Sequence, residues 1–264
     1  CSISAFGQSG PYADKPGFDT LGQAMSGLLS LLSDTNDPQV MGMAVSDYVT
    51  GLSAAYGILG ALMAREHSGA GCRLETSLLR ATLSFIGETA AGYLRTGNVP
   101  NRMARVKNAH AFAFVCKDGR PLAIHCSVPE KFWLALLKAA DRMDVAADER
   151  YNDRDGRRRN YEALEEALAP TFKEKTRAEW LATLEASDVP AAALYNVAEA
   201  LDDPQAKHLG LTEELAHDGA EKWQFIQGPV RFENLAQVKS TAAPALGEQS
   251  DRVLPERGWI APAV

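Results

Sequence analysis

The chain has 264 residues, a formal net charge of −7, 46% hydrophobic residues and 23% charged ones, the composition of a globular protein with room for one large domain or two smaller ones. Its acidic balance argues against a nucleic-acid partner, which needs a basic face. The longest weakly polar run, Leu52 to Ala64, falls short of the roughly 20 apolar residues of a membrane span. Four cysteines, Cys1, Cys72, Cys116 and Cys126, form no Cys-x-x-Cys pair. That speaks against a metal centre or redox motif and fits a reducing, cytoplasmic setting.

In chain order, Cys1 to Phe6 reads as the end of a strand already under way, so the sequence is taken as the later part of a longer gene product. Gly7 to Tyr12 is a loop by its turn residues. A helix is expected over Thr20 to Leu32, with Leu21, Met25, Leu28, Leu29 and Leu32 apolar, and polar loop from Ser33 to Gln39. A long helix follows over Ser46 to His67, capped by Ser46, with Val49, Leu52, Tyr56, Leu59 and Met63 stepping at the helical period. Gly51, Gly57 and Gly60 lie inside it, each costing about 1 kcal/mol against alanine, which points to something approaching closely. Arg73 to Ser77 reads as a short strand and Leu78 to Leu94 as a helix.

The composition turns polar from Thr96 to Arg105, where a domain boundary is expected. Beyond it, Phe112 to Cys116 and Pro121 to His125 form a hairpin turning at Asp118-Gly119. Helices are expected at Glu130 to Asp141, Asn160 to Phe172 and Arg177 to Ala186, and the mixed-charge run Asp153 to Arg159 reads as a solvated loop before a helix. Trp223 to Ile226 is a strand, and an amphipathic turn lies at Asp251 to Arg257. The expected class is α/β: a large domain over 1–100, a smaller α+β domain over 101–200, and a linker with a C-terminal segment over 201–264.

Asp47 is the residue that carries chemistry. The start of a helix favours an anion, and most such aspartates do no more than stabilise the helix. An exposed carboxylate beside an acyl group can also act as a nucleophile and form an anhydride. The five histidines form no zinc spacing, no serine sits in a Gly-x-Ser-x-Gly elbow, and no complete nucleotide-binding glycine loop is present.

Several segments resemble the class III CoA-transferases, the CaiB/BaiF family. They are Ser2-Ile-Ser-Ala-Phe-Gly-Gln-Ser-Gly-Pro-Tyr12, Pro16-Gly-Phe-Asp-Thr-Leu-Gly-Gln-Ala-Met-Ser-Gly27, Val45-Ser-Asp-Tyr-Val-Thr-Gly51 and Gly57 to Gly69. Ala186 to Ala191, Asp203-Pro-Gln205, Gly228-Pro-Val-Arg231 and Leu246 to Asp251 follow in order. The resemblance implies a Rossmann-like large domain, closed by the returning C-terminal segment, in an interlocked homodimer. A further N-terminal portion would supply much of the CoA surface. It implies Asp47 as catalytic nucleophile, and backbone amides near Phe6, Gly7 and Gln8 facing the thioester of a bound acyl-CoA. The substrates would be an acyl-CoA and a small carboxylic acid, with no metal. Asn108 to Phe112 stands where formyl-CoA transferases have a glycine-rich loop, which argues against formyl-CoA/oxalate specificity. Two alternatives stay open. One is an α-methylacyl-CoA racemase, disfavoured because Phe18 stands where racemases carry a histidine. The other is a non-catalytic partner subunit.

Overall fold

The computed structural model describes residues 1–127, 130–217, 221–234 and 240–256. Strands and helices are mixed in two compact units, residues 1–193 and residues 194–264.

The first unit opens with β1 (Ser2–Ser4). Its partner, β2 (Glu75–Ser77), runs parallel to it with Ser2 opposite Glu75 and Ser4 opposite Ser77. Parallel neighbours need a long crossover. Here that crossover holds α1 (Asp19–Met25) and α2 (Val45–Ser68). The helix expected over Thr20 to Leu32 is broken. Gly27 turns left-handed at φ +85° and a 3-10 turn, Leu29–Leu31, follows. The helix expected over Leu78 to Leu94 is likewise two, α3 (Leu78–Phe85) and α4 (Gly87–Thr96), parted at Ile86 (φ −90°, ψ 21°).

The exposed apolar row of α2 reverses the inward face that its period predicts. Of that row Leu52 (66% exposed), Tyr56 (69%), Leu59 (63%) and Met63 (67%) face outward, as does Tyr48 (71%), while Val49 is half-buried. The buried face is the small one, Ser46, Thr50 and Ala54. Small side chains let neighbouring helices approach closely, so they turn inward and the bulky residues are left outside. No residue of the described structure meets Gly51 or Gly60 within 4 Å of an added Cβ, and Gly57 makes ordinary contact with Leu74 at 3.5 Å. Within the described residues the close approach is at Gly22 of α1. A Cβ there would lie 2.9 Å from Leu78 Cβ and 3.0 Å from Ser46 Cβ.

The second half of this unit holds α5 (Ala104–Ala109), β3 (Ala111–Val115), β4 (Pro121–His125), α6 (Lys131–Ala139) and α7 (Met143–Ala146). A 3-10 turn (Glu149–Tyr151), α8 (Arg154–Arg159), α9 (Tyr161–Phe172), α10 (Arg177–Ala186) and β5 (Ala191–Ala193) complete it. The antiparallel sheet runs β3-β4-β5, with Phe112 opposite Ile124 and Phe114 opposite Leu122. Strand alternation sends these four side chains to one buried face. They meet Leu136, Leu164, Leu168, Phe172, Trp180 and Leu184 in a single core. Each such buried side chain contributes about 1.5–3 kcal/mol. Stacked rings at 4.2 Å (Phe114 on Phe172) and 5.1 Å (Phe112 on Tyr161) add to it.

The run from Asp153 to Arg159, expected as solvated loop, is helix α8. The Asp153 side chain accepts the Gly156 N–H at 2.6 Å. Arg157 turns inward, 2% exposed, onto Glu130 Oε2 at 2.6 Å and Tyr151 O at 3.0 Å. A guanidinium with that many partners can leave water, which a count of charges cannot register.

The second unit has α11 (Val197–Asp202), α12 (Pro204–Leu209), the hairpin β6 (Thr212–His217) with β7 (Glu221–Ile226), and α13 (Ser250–Glu256). The expected strand Trp223 to Ile226 is the later part of β7. The turn expected at Asp251 to Arg257 falls on α13, with Arg257 outside the described residues. Among the described residues no helix is long and apolar enough to cross a membrane.

Candidate active site

Asp47 is the third residue of α2, exposed, with Tyr48 beside it. It borders an open cavity of about 530 Å³ lined by Ala44, Asp47, Tyr48, Gly51 and Leu52. The expected N-cap Ser46 lies inside the helix. The cap position is Ala44, which has no side-chain acceptor. Ser46 is fully buried, and its Oγ accepts from Thr82 Oγ1 of α3 at 2.8 Å. Its hydroxyl is thus committed to a neighbouring helix and cannot fold back on its own.

The missing cap comes from α1. Asp19 Oδ1 accepts the Asp47 N–H at 3.2 Å, the role an N-cap oxygen ordinarily fills. Asp19 Oδ2 accepts from Gln23 Nε2 at 2.5 Å, and Gln23 Nε2 also donates to Met43 O at 2.8 Å. The two ends of the segment Met43 to Asp47 are therefore both tied to one turn of α1. Gly22, in that same turn, allows the approach.

Phe6, Gly7 and Gln8 follow directly from β1. Gly7 is left-handed (φ +112°), and its N–H donates to Ser4 Oγ at 3.0 Å. The Gln8 side chain accepts from Arg73 Nη2. Among the described residues no hydrogen bond joins these three to Asp47. They belong to the same cluster of elements all the same. The Ala5 carbonyl accepts the Leu79 N–H at 3.1 Å at the start of α3, the helix whose Thr82 holds Ser46.

A larger cavity, about 960 Å³, lies elsewhere, over the β3-β4-β5 sheet, with Phe112, Ile124, Tyr161 and Glu165 in its lining and Asp47 outside it. Burial, with the Glu162 and Glu166 carboxylates, pushes the Glu165 carboxyl above its usual range. Asp47 brings an exposed carboxylate to the smaller cavity at the start of α2. Among the described residues no group of histidines, cysteines and carboxylates is placed to hold a metal.

A family model described as CoA-transferase family III matches residues 1–250. The chain belongs to that family. Similar members include the succinyl-CoA:glutarate CoA-transferase of Mus musculus, 29% identical over 97% of this chain and 59% of that protein. The acetyl-CoA:oxalate CoA-transferase of Acetobacter aceti is 34% identical over 77% of this chain and 53% of that protein. A solved CaiB/BaiF family protein from Brucella suis superposes with a TM-score of 0.82 at 29% identity, covering 97% of this chain and 67% of that one. The chain thus spans about three fifths of the length of the mouse family III relative.

Asp19 and Gln23 lie in the family III stretch Pro16 to Gly27, where the sequence alone did not reveal their roles. Their spacing of four on a helix was the available signal, since it places both side chains on one face.

Proposed function

We propose that this chain moves CoA between an acyl-CoA and a free carboxylate, with Asp47 as the nucleophile. The observation that carries the reading is an exposed carboxylate in the first turn of a long helix, open to a cavity and anchored through its own N–H by Asp19. An Asp47 oxygen attacks the thioester carbonyl, the C–S bond breaks, and CoA thiolate leaves a mixed anhydride. The thiolate then attacks the Asp47 carbonyl of the anhydride, giving an aspartyl-CoA thioester and the donor acid. The acceptor carboxylate attacks that thioester, forming a second anhydride and freeing thiolate. The thiolate takes the acceptor's acyl group and Asp47 returns as carboxylate.

Each addition places negative charge on a carbonyl oxygen. The amides proposed to face it are those around Phe6, Gly7 and Gln8. Among the described residues, the Phe6 and Gln8 N–H groups donate to no protein acceptor, whereas the Gly7 N–H is taken by Ser4. Phe18, 77% exposed, has no group that moves a proton, which supports transfer over racemisation. The names of the relatives support a small carboxylic acid as acceptor.

In this reading residues 1–100 belong to a Rossmann-like large domain, 101–200 form the small domain and 201–264 the C-terminal segment. The subunit works in the cytoplasm as an interlocked homodimer, with further N-terminal sequence contributing to the CoA surface. The parallel β1–β2 pair supports the first assignment. The outward row Tyr48, Leu52, Tyr56, Leu59 and Met63 supports a covering partner, because so large an apolar row seldom faces water.

The test is intact-protein mass spectrometry of the whole native protein after incubation with a panel of acyl-CoAs. A CoA-sized adduct that hydroxylamine removes is expected on wild type and absent from Asp47→Ala. Substantial transfer by Asp47→Ala would refute the assignment, and deuterium uptake beside the thioester without an adduct would favour a racemase.

A further inference from the structure

Gln23 is 1% exposed, and both of its amide hydrogens are in use, one toward Asp19 Oδ2 at 2.5 Å and one toward Met43 O at 2.8 Å. Both partners are acceptors, so the amide can face them only with its nitrogen. Its Oε1 is buried and accepts no hydrogen bond among the described residues. A buried acceptor left unpaired is unfavourable, and a leucine of similar volume would avoid it. The two donations are therefore what the side chain contributes here.

Those donations close a ring of contacts. From Met43 O the path runs through the Gln23 amide to Asp19 Oδ2, across that carboxylate to Oδ1, and on to the Asp47 N–H. The segment Met43 to Asp47 has no side-chain cap of its own. Its entry angle into α2 is set from outside, by one turn of α1. Without Gln23 the Asp19 carboxylate has no protein donor on its second oxygen and can rotate about χ2, which releases the Asp47 N–H, while the Met43 carbonyl keeps only the Val45 N–H at 2.9 Å. Attack on a thioester needs the carboxylate oxygen roughly 3–3.5 Å from the carbonyl carbon in a defined direction, and a misplacement of about 1 Å lowers rates about 100-fold.

We infer that Gln23 is a positioning residue for the Asp47 carboxylate. It acts through Asp19 and through the Met43 carbonyl, and touches no reacting atom. The inference rests on Asp47 being the nucleophile, so its test must separate the two ideas.

Three measurements on the whole native protein do so: the rate of adduct formation with the acyl-CoA panel, kcat and KM for the donor thioester, and amide exchange at Asp47. Gln23→Leu is expected to slow adduct formation and kcat by about 10- to 100-fold. KM should stay within about threefold, since the acyl-CoA itself is not touched. The Asp47 amide should exchange about tenfold faster, while that of Ala54, deep in α2, is unchanged. Gln23→Glu supplies a rescue test. Ionised, the introduced carboxylate confronts Asp19 and Met43 O with acceptors only. Protonated, it can donate one bond, so the variant's rate should rise relative to wild type as pH falls toward about 5. A Gln23→Leu protein with the wild-type rate and wild-type Asp47 exchange overturns the inference. So does one whose loss of rate merely follows its unfolded fraction while exchange at Asp47 is unchanged. If wild type itself forms no adduct, the nucleophile reading falls, and the exchange data alone decide whether Gln23 fixes Asp47.

Discussion

Replacing Gly22 with alanine tests whether α1 really leans on the first turn of α2. The added Cβ would sit 2.9 Å from Leu78 Cβ and 3.0 Å from both Ser46 Cβ and Ser46 Oγ. Carbon atoms prefer roughly 3.5–4.0 Å, so α1 must retreat by about 0.9 Å. None of these neighbours is the free end of a flexible chain, and Ser46 Oγ is held by Thr82. Overpacking of this kind costs about 1–3 kcal/mol. The better helix propensity of alanine returns about 1 kcal/mol, leaving a net loss of about 1 kcal/mol, or about 2–4 °C in Tm for a chain of this size. The functional effect should be larger. The Asp19–Asp47 hydrogen bond, at 3.2 Å, already sits at the long end of the normal range, and the same retreat breaks it. Thermal unfolding and the rate of adduct formation, measured together, read both effects. Gly60→Ala is the control: nothing lies within 4 Å of its Cβ, so it should raise Tm by about as much as Gly22→Ala lowers it. A Gly22→Ala protein that is more stable than wild type and forms the adduct at the wild-type rate would refute the packing argument.

Two further outcomes test the small sheet and its helices. Glu130→Ala removes the charge partner of a guanidinium that is 2% exposed, and should cost about 3 kcal/mol, the low end for breaking a buried pair because Glu130 is itself half exposed. Arg157→Met removes the charge and keeps the apolar stem over Trp133, and should cost less; urea denaturation giving the reverse order would refute this account. His110 is buried at a left-handed position (φ 43°), and burial, then Arg157 and Arg154, lower its pKa below the ordinary 6.5. Below that value the unfolded chain takes up a proton that the folded chain refuses. Stability is therefore lost as pH falls from about 6.5 through the folded pKa. His110→Asn, which tolerates the same backbone conformation, should flatten the unfolding profile between about pH 7 and 5; an unchanged slope would show that His110 does not cause it.

Local pattern carried much of the fold. The β3–β4 hairpin was legible because Phe112, Phe114, Leu122 and Ile124 alternate about Asp118-Gly119, and Gly119 does turn left-handed at φ +74°. α6, α9 and α10 lie within a residue or two of their expected bounds for the same local reason. Several of the failures depended on partners distant in sequence. α8 was missed because Arg157 looks solvated until Glu130, Tyr151 and Trp133 surround it. β5, three alanines, has no strand signal of its own and exists because β4 offers an edge. α2 was legible as a helix, but its apolar period does not tell which face is buried. Hydrophobic period assumes that large apolar side chains seek the core, whereas this helix buries Ser46, Thr50 and Ala54.

The site divides along the same line. Asp47 could be singled out from its place at a helix start, and its setting in the family III pattern sharpened the choice. The reason it is held still was not legible from that stretch. Ser46, the hydroxyl next to Asp47, was the expected cap. The protein spends that hydroxyl on Thr82 and takes its cap from Asp19, 28 residues earlier. A cap on a separate helix has a consequence that a local one lacks. If Asp47 is the nucleophile as proposed, its position depends on the contact between α1 and α2, and Gly22, Gln23 and Ser46, none of them a reacting group, are expected to influence the rate. The stretch from Pro16 to Gly27 and the start of α2 are tied together by the side chains of Asp19 and Gln23. Conservative changes at Gly22 or Gln23 should affect adduct formation more than their modest effect on stability would suggest.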